Sequence, residues 1–269
     1  MNPLIFGNGF IGARLRKAYN CALSTIRLSS LNEAIAEIEK YKPDVVINCI
    51  GFTGGANVDG CEKEKQKTMD LNVFIPIILS EACFRTGVKF VHISSGCIYH
   101  FQKGSLPIDE TVEPDFFDLF YSRSKIYAER ALNENDLIIR IRIPLDCYPH
   151  PHNILTKLLT FDRILNSANS ITYLPDLIKA VEYLIEIRAS GIYNVVNEGP
   201  LYYIDLLSLY NLHSQSPHKY IGISYEELGL VRTNIILSVK KLLLSGFYIR
   251  PISEAIRDCV TKYVDAEPV

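Results

Sequence analysis

The sequence lacks an apolar run long enough for a membrane helix, a block of lysine and arginine, and any paired-cysteine motif. Each absence removes a class of function. A spanning helix needs about 20 apolar residues, and the opening MNPLIFGNGF has neither a basic n-region nor a signal-peptide apolar stretch. A cytoplasmic protein without a membrane partner is expected. The formal net charge of -2, with no basic stripe, offers no footprint for nucleic acid or an anionic membrane. The seven cysteines are odd in number, scattered, and never in CxxC or zinc-type Cys/His spacing, which points to a reducing compartment. His92, His100, His150 and His152 have no carboxylate or thiol at ligand spacing, so no metal site is expected. Independent modules are not expected either, because no linker, repeat or low-complexity tract interrupts the chain.

What is present is 269 residues, 48% of them hydrophobic, enough for a large core and a small-molecule partner. Short apolar, β-branched runs recur at 4–6, 44–50, 88–93, 137–143 and 192–196, apolar on both faces as in buried parallel strands. Amphipathic stretches at 31–40, 68–85, 121–133 and 177–188 separate them. This alternation predicts an α/β doubly wound parallel sheet of Rossmann type. Residues 1–149 form the expected Rossmann domain, with segments near 171–197 returning to it. Residues 150–269 are mainly a smaller C-terminal substrate-binding lobe.

Directly after the first strand comes Gly7-Asn-Gly9-Phe10-Ile11-Gly12, followed by a helical pattern. Gly7 permits the tight turn, Gly9 lets backbone approach a pyrophosphate, and Gly12 allows close packing of the helix whose N-terminus faces the anion. The second strand is expected to end near 26–28, where an NAD site places Asp or Glu. Here stand Arg27, Ser29 and Ser30. A cation and hydroxyls suit a 2′-phosphate and favour NADPH over NADH; a solvated surface arginine is the other reading.

Tyr121-Ser-Arg-Ser-Lys125 places a phenol and an ammonium four residues apart, on one helix face. Ser94 and Ser95 follow the strand at 88–93, at the end where ligands bind in such sheets. A phenol of ordinary pKa ~10 is a poor acid/base at neutral pH. A nearby lysine and an oxidised nicotinamide favour its anion, while Ser95 hydrogen-bonds the carbonyl being reduced.

Glycine turn, serines after a strand and YxxxK, in this order, resemble the extended short-chain dehydrogenase/reductases. The stretches 51–62, Asn72-Val73, Ser95-Gly-Cys97-Ile98, 120–122, 140–144, 153–157, 191–194 and 232–234 are similar to the bifunctional UDP-4-keto-6-deoxy-glucose 3,5-epimerase/4-reductases. dTDP-4-dehydrorhamnose reductase and GDP-L-fucose synthase are relatives of that group. The first turn departs from the group's usual GxxGxxG by being one residue shorter.

The resemblance implies epimerisation at C3 and C5 of a 4-keto sugar, then NADPH-dependent reduction at C4, giving UDP-L-rhamnose. It assigns the epimerising pair to Cys97 and Lys157, for which a small packing residue and a solvated helix-face lysine are the other readings. It also implies a homodimer. Thr53 is a candidate substrate contact, Asn57 and Asp59 are candidate contacts of the sugar or the nicotinamide ribose, and Asn153 and Arg232 are candidate diphosphate contacts, with ordinary turns or surface positions as the alternative. Arg140 and Arg142, on a buried strand, must either be paired or reach a ligand. Cys49, Cys83 and Cys147 are expected to be packing residues. A reductase without epimerase activity, a GDP-L-fucose synthase-like enzyme and a non-catalytic nucleotide-binding subunit remain the other functional readings.

Overall fold

The computed structural model describes residues 1–55, 57–100, 107–229 and 231–266. In chain order the elements are β1 (Pro3–Phe6), α1 (Phe10–Tyr19), β2 (Ala22–Ser24), α2 (Leu31–Tyr41), β3 (Val45–Asn48), α3 (Gly60–Lys63), α4 (Lys65–Met69), a π-helical turn (Asp70–Phe74), α5 (Ile75–Thr86), β4 (Lys89–Ser95), α6 (Phe120–Ala131) and β5 (Leu137–Ile141). There follow β6 (Pro144–Leu145), α7 (Ile154–Leu158), β7 (Arg163–Leu165), β8 (Ala168–Asn169), β9 (Thr172–Tyr173), α8 (Leu174–Glu186), β10 (Gly191–Asn194), β11 (Leu201–Tyr202), α9 (Tyr203–His213), β12 (Ile221–Ile223), α10 (Tyr225–Leu228), α11 (Lys240–Leu244) and α12 (Ile252–Asp265). They form two compact units, Met1–Ile98 with Pro114–Arg140 and Val181–Tyr193, and Tyr99–Glu113 with Ile141–Ala180 and Asn194–Val269.

The first unit is built on the six-stranded parallel sheet, ordered β10-β5-β4-β3-β1-β2. Pro3 pairs with Val45 and Phe6 with Asn48, and β3 continues the ladder onto β4 from Val45↔Lys89 to Asn48↔His92. Strand order reverses between β1 and β3, the position at which doubly wound sheets open a ligand crevice at their carboxyl ends. The β1 and β3 residues are buried on both faces. One face packs Leu4, Phe6, Val46 and Phe90 against Ile38 of α2 and Leu79 and Cys83 of α5. Ser30 starts α2 with a reciprocal cap: its hydroxyl accepts the Glu33 N–H, and Glu33 accepts the Ser30 N–H.

Two expectations change here. β2 ends at Ser24 rather than near 26–28, because Leu28 is buried in the core from outside the strand and prolongs the apolar pattern. The stretch 68–85 is not one helix. Pro76 in the first turn of α5 has no N–H to continue an α-helical ladder, and a π-helical turn precedes it.

In the second unit, short strand pairs, β6 with β9 and β7 with β12 in parallel and β8 with β11 antiparallel, sit on a core of Leu145, Leu155, Leu158, Tyr173, Leu206, Ile252 and Val260. Residues 141–149 and the described part of 99–113 go with this unit rather than with the first. Their backbone bonding explains it: Pro144 pairs with Thr172, and Ile108 bridges to Leu237.

Candidate active site

The turn after β1 is shaped by two glycines that have no room for a side chain. At Gly7 (φ +99°) a Cβ would stand 2.7 Å from the Cys49 carbonyl carbon and the Ile50 nitrogen, and at Gly12 it would stand 1.9 Å from the Gly7 carbonyl oxygen. Gly9 differs, since a Cβ there meets no atom within 4 Å. Gly9 precedes α1, whose first turn carries no acidic residue, so its amides point at a space that accommodates an anion. Phe10 is buried and Ile11 half-buried behind that turn.

Past β2, Arg27 is exposed, and a shallow groove beside it is lined by Arg27, Lys40, Glu33 and Glu37. Ser29 is engaged elsewhere. Its N–H and hydroxyl donate to Glu33 Oε2 at 2.8 and 2.9 Å, the Ser30 N–H joins them at 3.1 Å, and these donors hold the Glu33 carboxyl below its ordinary range. Ser29 as a cofactor contact is therefore corrected, because it belongs to the cap of α2.

Ser95 closes β4, and Tyr121 and Lys125 lie one turn apart in α6, all three buried. The Ser95 oxygen accepts the Cys97 N–H at 3.1 Å, which leaves the hydroxyl proton to donate. Burial pulls the Lys125 ammonium down to about 8, while Glu129 and the thiols of Cys49, Cys61 and Cys97 pull it back upward. Cys97 thus lies within electrostatic reach of the lysine. So does Cys49, which packs against Gly12 and whose thiol burial pushes up to about 12, in keeping with a packing role.

Asn72 completes this group; the sequence offers it only within the matching Asn72-Val73 stretch, with no role attached. The π-helical turn carries its amide to Phe52, whose N–H it accepts at 2.6 Å and whose carbonyl it donates to at 3.0 Å; it also donates to Ser124 Oγ at 3.0 Å. Asn72 Oδ1 and Lys125 Nζ converge on Gly51, lying 3.5 and 3.6 Å from where a Cβ would be. Beside that resemblance, its signal is a polar residue inside the apolar stretch DLNVFIPIIL.

The buried arginines resolve to partners inside their own units. Arg140 forms a buried ion pair with Glu129, Nε to Oε2 at 3.0 Å and the terminal nitrogen at 2.6 Å, while Ser94 donates to the same carboxylate at 2.5 Å. Arg142 donates to Thr233 Oγ1 at 2.7 Å and Asn169 Oδ1 at 2.8 Å. His92 is buried beneath the same strand end; Asn48 Nδ2 donates to its Nδ1 at 3.1 Å, and burial, with Lys125 adding to it, holds it neutral.

The candidate substrate residues differ in what they have to offer. Thr53 and Asn57 are exposed and Asp59 half-buried; Asn57 Oδ1 accepts the Asp59 N–H at 3.0 Å. Asn153, in the second unit, is fully buried and committed to the chain. Its Oδ1 accepts the Asp146 and Leu155 N–H groups, and its Nδ2 donates to the carbonyls of Asp146 and Tyr148. It caps α7 and has no hydrogen-bonding position left for a diphosphate, which corrects that expectation. Lys157, on the same helix, is half-buried, and burial lowers its ammonium from the ordinary range. Arg232 bonds the Val231 carbonyl at 2.6 Å, and its N–H donates to the Tyr225 hydroxyl at 2.8 Å. Among the described residues no group of three His, Cys, Asp or Glu is placed to hold a metal, and no helix is long and apolar enough to cross a membrane.

With this geometry in hand, the chain compares clearly with known proteins. The family described as RmlD substrate binding domain matches residues 4–166. The bifunctional dTDP-4-dehydrorhamnose 3,5-epimerase/dTDP-4-dehydrorhamnose reductase of Arabidopsis thaliana is 30% identical over 259 residues, covering 90% of this chain and 86% of that protein. A trifunctional UDP-glucose 4,6-dehydratase/UDP-4-keto-6-deoxy-D-glucose 3,5-epimerase/UDP-4-keto-L-rhamnose-reductase of the same plant is 29% identical over 97% of this chain, which spans 41% of its length. The crystal structure of the L780 UDP-rhamnose synthase of Acanthamoeba polyphaga mimivirus superposes with a TM-score of 0.88 at 27% identity, covering 97% of this chain and 99% of that one. A dTDP-4-dehydrorhamnose reductase of Bacillus anthracis, solved in complex with NADP, shares the fold at a TM-score of 0.84 and 20% identity, covering 97% of this chain and 99% of that one.

Proposed function

The chain belongs to the RmlD substrate binding domain family, and we propose that it is an NADPH-dependent 4-keto reductase of nucleotide-rhamnose synthesis that also epimerises C3 and C5. The substrate is UDP-4-keto-6-deoxy-glucose and the product UDP-L-rhamnose. The observation that carries this reading is the buried Ser95, Tyr121 and Lys125 set, with the lysine lowered to about 8, on the unit that also holds the glycine turn.

The turn fits a dinucleotide: Gly9 leaves open space in front of the α1 amides, and Gly7 and Gly12 draw the helix close to β3. When bound, the nicotinamide supplies the hydride for C4. The chain's own residues manage the proton. Ser95, with its oxygen occupied by the Cys97 N–H, donates to the substrate carbonyl, and Tyr121 delivers a proton to O4 as it becomes an alkoxide. The Lys125 ammonium lowers the cost of the phenolate left behind. Arg27, exposed past β2, supports a 2′-phosphate and hence NADPH.

For epimerisation, Cys97 and Lys157 are the proposed pair. The 4-keto group acidifies the hydrogens on C3 and C5, and each centre inverts when a proton leaves one face and returns on the other. Lys157, lowered by burial, exchanges a proton more readily near neutrality than an exposed lysine does.

The test is NADPH oxidation with the keto-sugar by the native protein and by Tyr121→Phe. The reading requires turnover by the native protein, and in the variant unchanged NADPH binding with reduction lost. Persistent reduction by Tyr121→Phe would remove Tyr121 from the chemistry.

A further inference from the structure

The catalytic tyrosine stands at the second position of a helix that has no cap of its own. The residue before α6 is Leu119, extended at φ -105° and ψ 138°, whose side chain makes no cap hydrogen bond to the amides of the first turn. Those amides are where a helix frays, and Tyr121 sits among them.

The acceptor comes from far along the chain. Glu62 Oε1 takes the Phe120 N–H at 2.6 Å and the Arg123 guanidinium at 3.3 Å, and that guanidinium lies 5.1 Å over the Phe120 ring. Glu62 is carried by α3, immediately after the segment that holds Thr53, Asn57 and Asp59. That segment is tightly closed: a Cβ at Gly60 would stand 2.0 Å from the Gly54 carbonyl oxygen, and one at Gly54 would stand 2.1 Å from that of Asn57. A second tie reaches the carbonyl side of Tyr121. Ser124 Oγ donates to the Tyr121 carbonyl at 2.7 Å and accepts from Asn72, which grips the Phe52 peptide. Glu62 is therefore hydrogen-bonded to the N–H of the residue before Tyr121, and Phe52, through Asn72 and Ser124, is linked to the carbonyl of Tyr121 itself.

We propose that Glu62 is a positioning residue for the reduction: it supplies the missing cap of α6 from the 52–62 segment and so fixes Tyr121 at the place from which it delivers its proton. The inference rests on Tyr121 being the acid of the proposed reaction. Glu62 touches neither reactant and acts through the tyrosine. A shift of about 1 Å in a positioned group costs on the order of a hundredfold in rate, so the loss of a single cap is sufficient to matter.

The experiment compares the full-length native chain with Glu62→Ala, Glu62→Gln and the double variant Glu62→Ala/Leu119→Ser, using NADPH and UDP-4-keto-6-deoxy-glucose. Amide hydrogen exchange over residues 119–125 is followed alongside. In Glu62→Ala, kcat falls about tenfold or more, NADPH affinity holds, and the first-turn amides of α6 exchange faster. Glu62→Gln, whose side-chain oxygen still accepts the Phe120 N–H, recovers most of kcat. Leu119→Ser, placed where the backbone is already extended as a cap requires, restores both exchange protection and rate to Glu62→Ala. Native-like kcat and exchange in Glu62→Ala would overturn the inference while leaving the proposed reaction intact. So would slowed turnover with unchanged exchange. A native protein that does not reduce the keto-sugar, combined with faster exchange in Glu62→Ala, would sink the proposed reaction and leave the cap standing.

Discussion

Lys125 is held under opposing demands. Its ammonium supports a tyrosine anion, yet burial lowers it to about 8. The sign follows directly: a folded-state value below the ordinary lysine range means that the charge costs stability at neutral pH. That cost is relieved as pH rises from about 8 toward ~10.4, where the unfolded chain still binds the proton. Lys125→Met is expected to raise the neutral-pH stability of the ligand-free protein by ~1–3 kcal/mol and to abolish reduction, read by thermal melts beside NADPH oxidation. A destabilised Lys125→Met would contradict the cost assigned to the buried charge. For the native enzyme, kcat/KM for reduction should decline above pH ~8, as Lys125 loses its proton; a rate flat to pH 10 would separate the lysine from the chemistry.

At the scale of elements, the two kinds of glycine in the first turn make separable predictions. Gly12→Ala forces a Cβ onto the Gly7 carbonyl and should lower the melting temperature along with NADPH binding. Gly9→Ala meets no protein atom and should leave the melt unchanged while weakening NADPH, measured by titration. Equal melting losses in both would mean that Gly9 is merely structural. In the second unit, Asn153→Ala removes the cap of α7 and four hydrogen bonds, an expected loss of about 2 kcal/mol or more. A raised KM for the nucleotide sugar at unchanged stability would return Asn153 to the substrate.

These elements also show which features were legible in the sequence. The glycine turn and the Tyr121/Lys125 pair are local patterns, with spacing that fits a strand end and a helix face, so they stand out in one chain. Asn72, Glu62 and the engagement of Ser29 by Glu33 do not. Asn72 meets residue 52 from a π-helical turn just before Pro76, and Glu62 meets Phe120 because the fold returns α6 beside α3. Arg140 was recognisable as a buried charge in need of a partner, but not as the partner of Glu129 rather than of a ligand.

On the scale of the whole molecule, each unit is assembled from separated stretches of chain. The alternation of strands and helices made the doubly wound sheet readable. The allegiance of 141–149 was not, since β6 is two residues long and is defined by its partner Thr172 rather than by its own pattern. A fragment ending at residue 149 lacks β10, the edge strand beside β5, and exposes that edge. It should aggregate or bind NADPH far more weakly than the full chain, as sedimentation and titration would show. Native-like binding by a monodisperse fragment would mean that the first 149 residues are self-sufficient.

The most direct test of the proposed activity is a single incubation of the full-length protein with UDP-4-keto-6-deoxy-glucose and NADPH in deuterated water, with NMR of the product. The expected product is reduced at C4, carries deuterium at C3 and C5 and has the L-configuration. Substituting Cys97→Ala should stop the deuterium incorporation. An unlabelled D-sugar reduced at C4 would contradict the epimerase half, and no reduction despite NADPH binding would contradict the account as a whole.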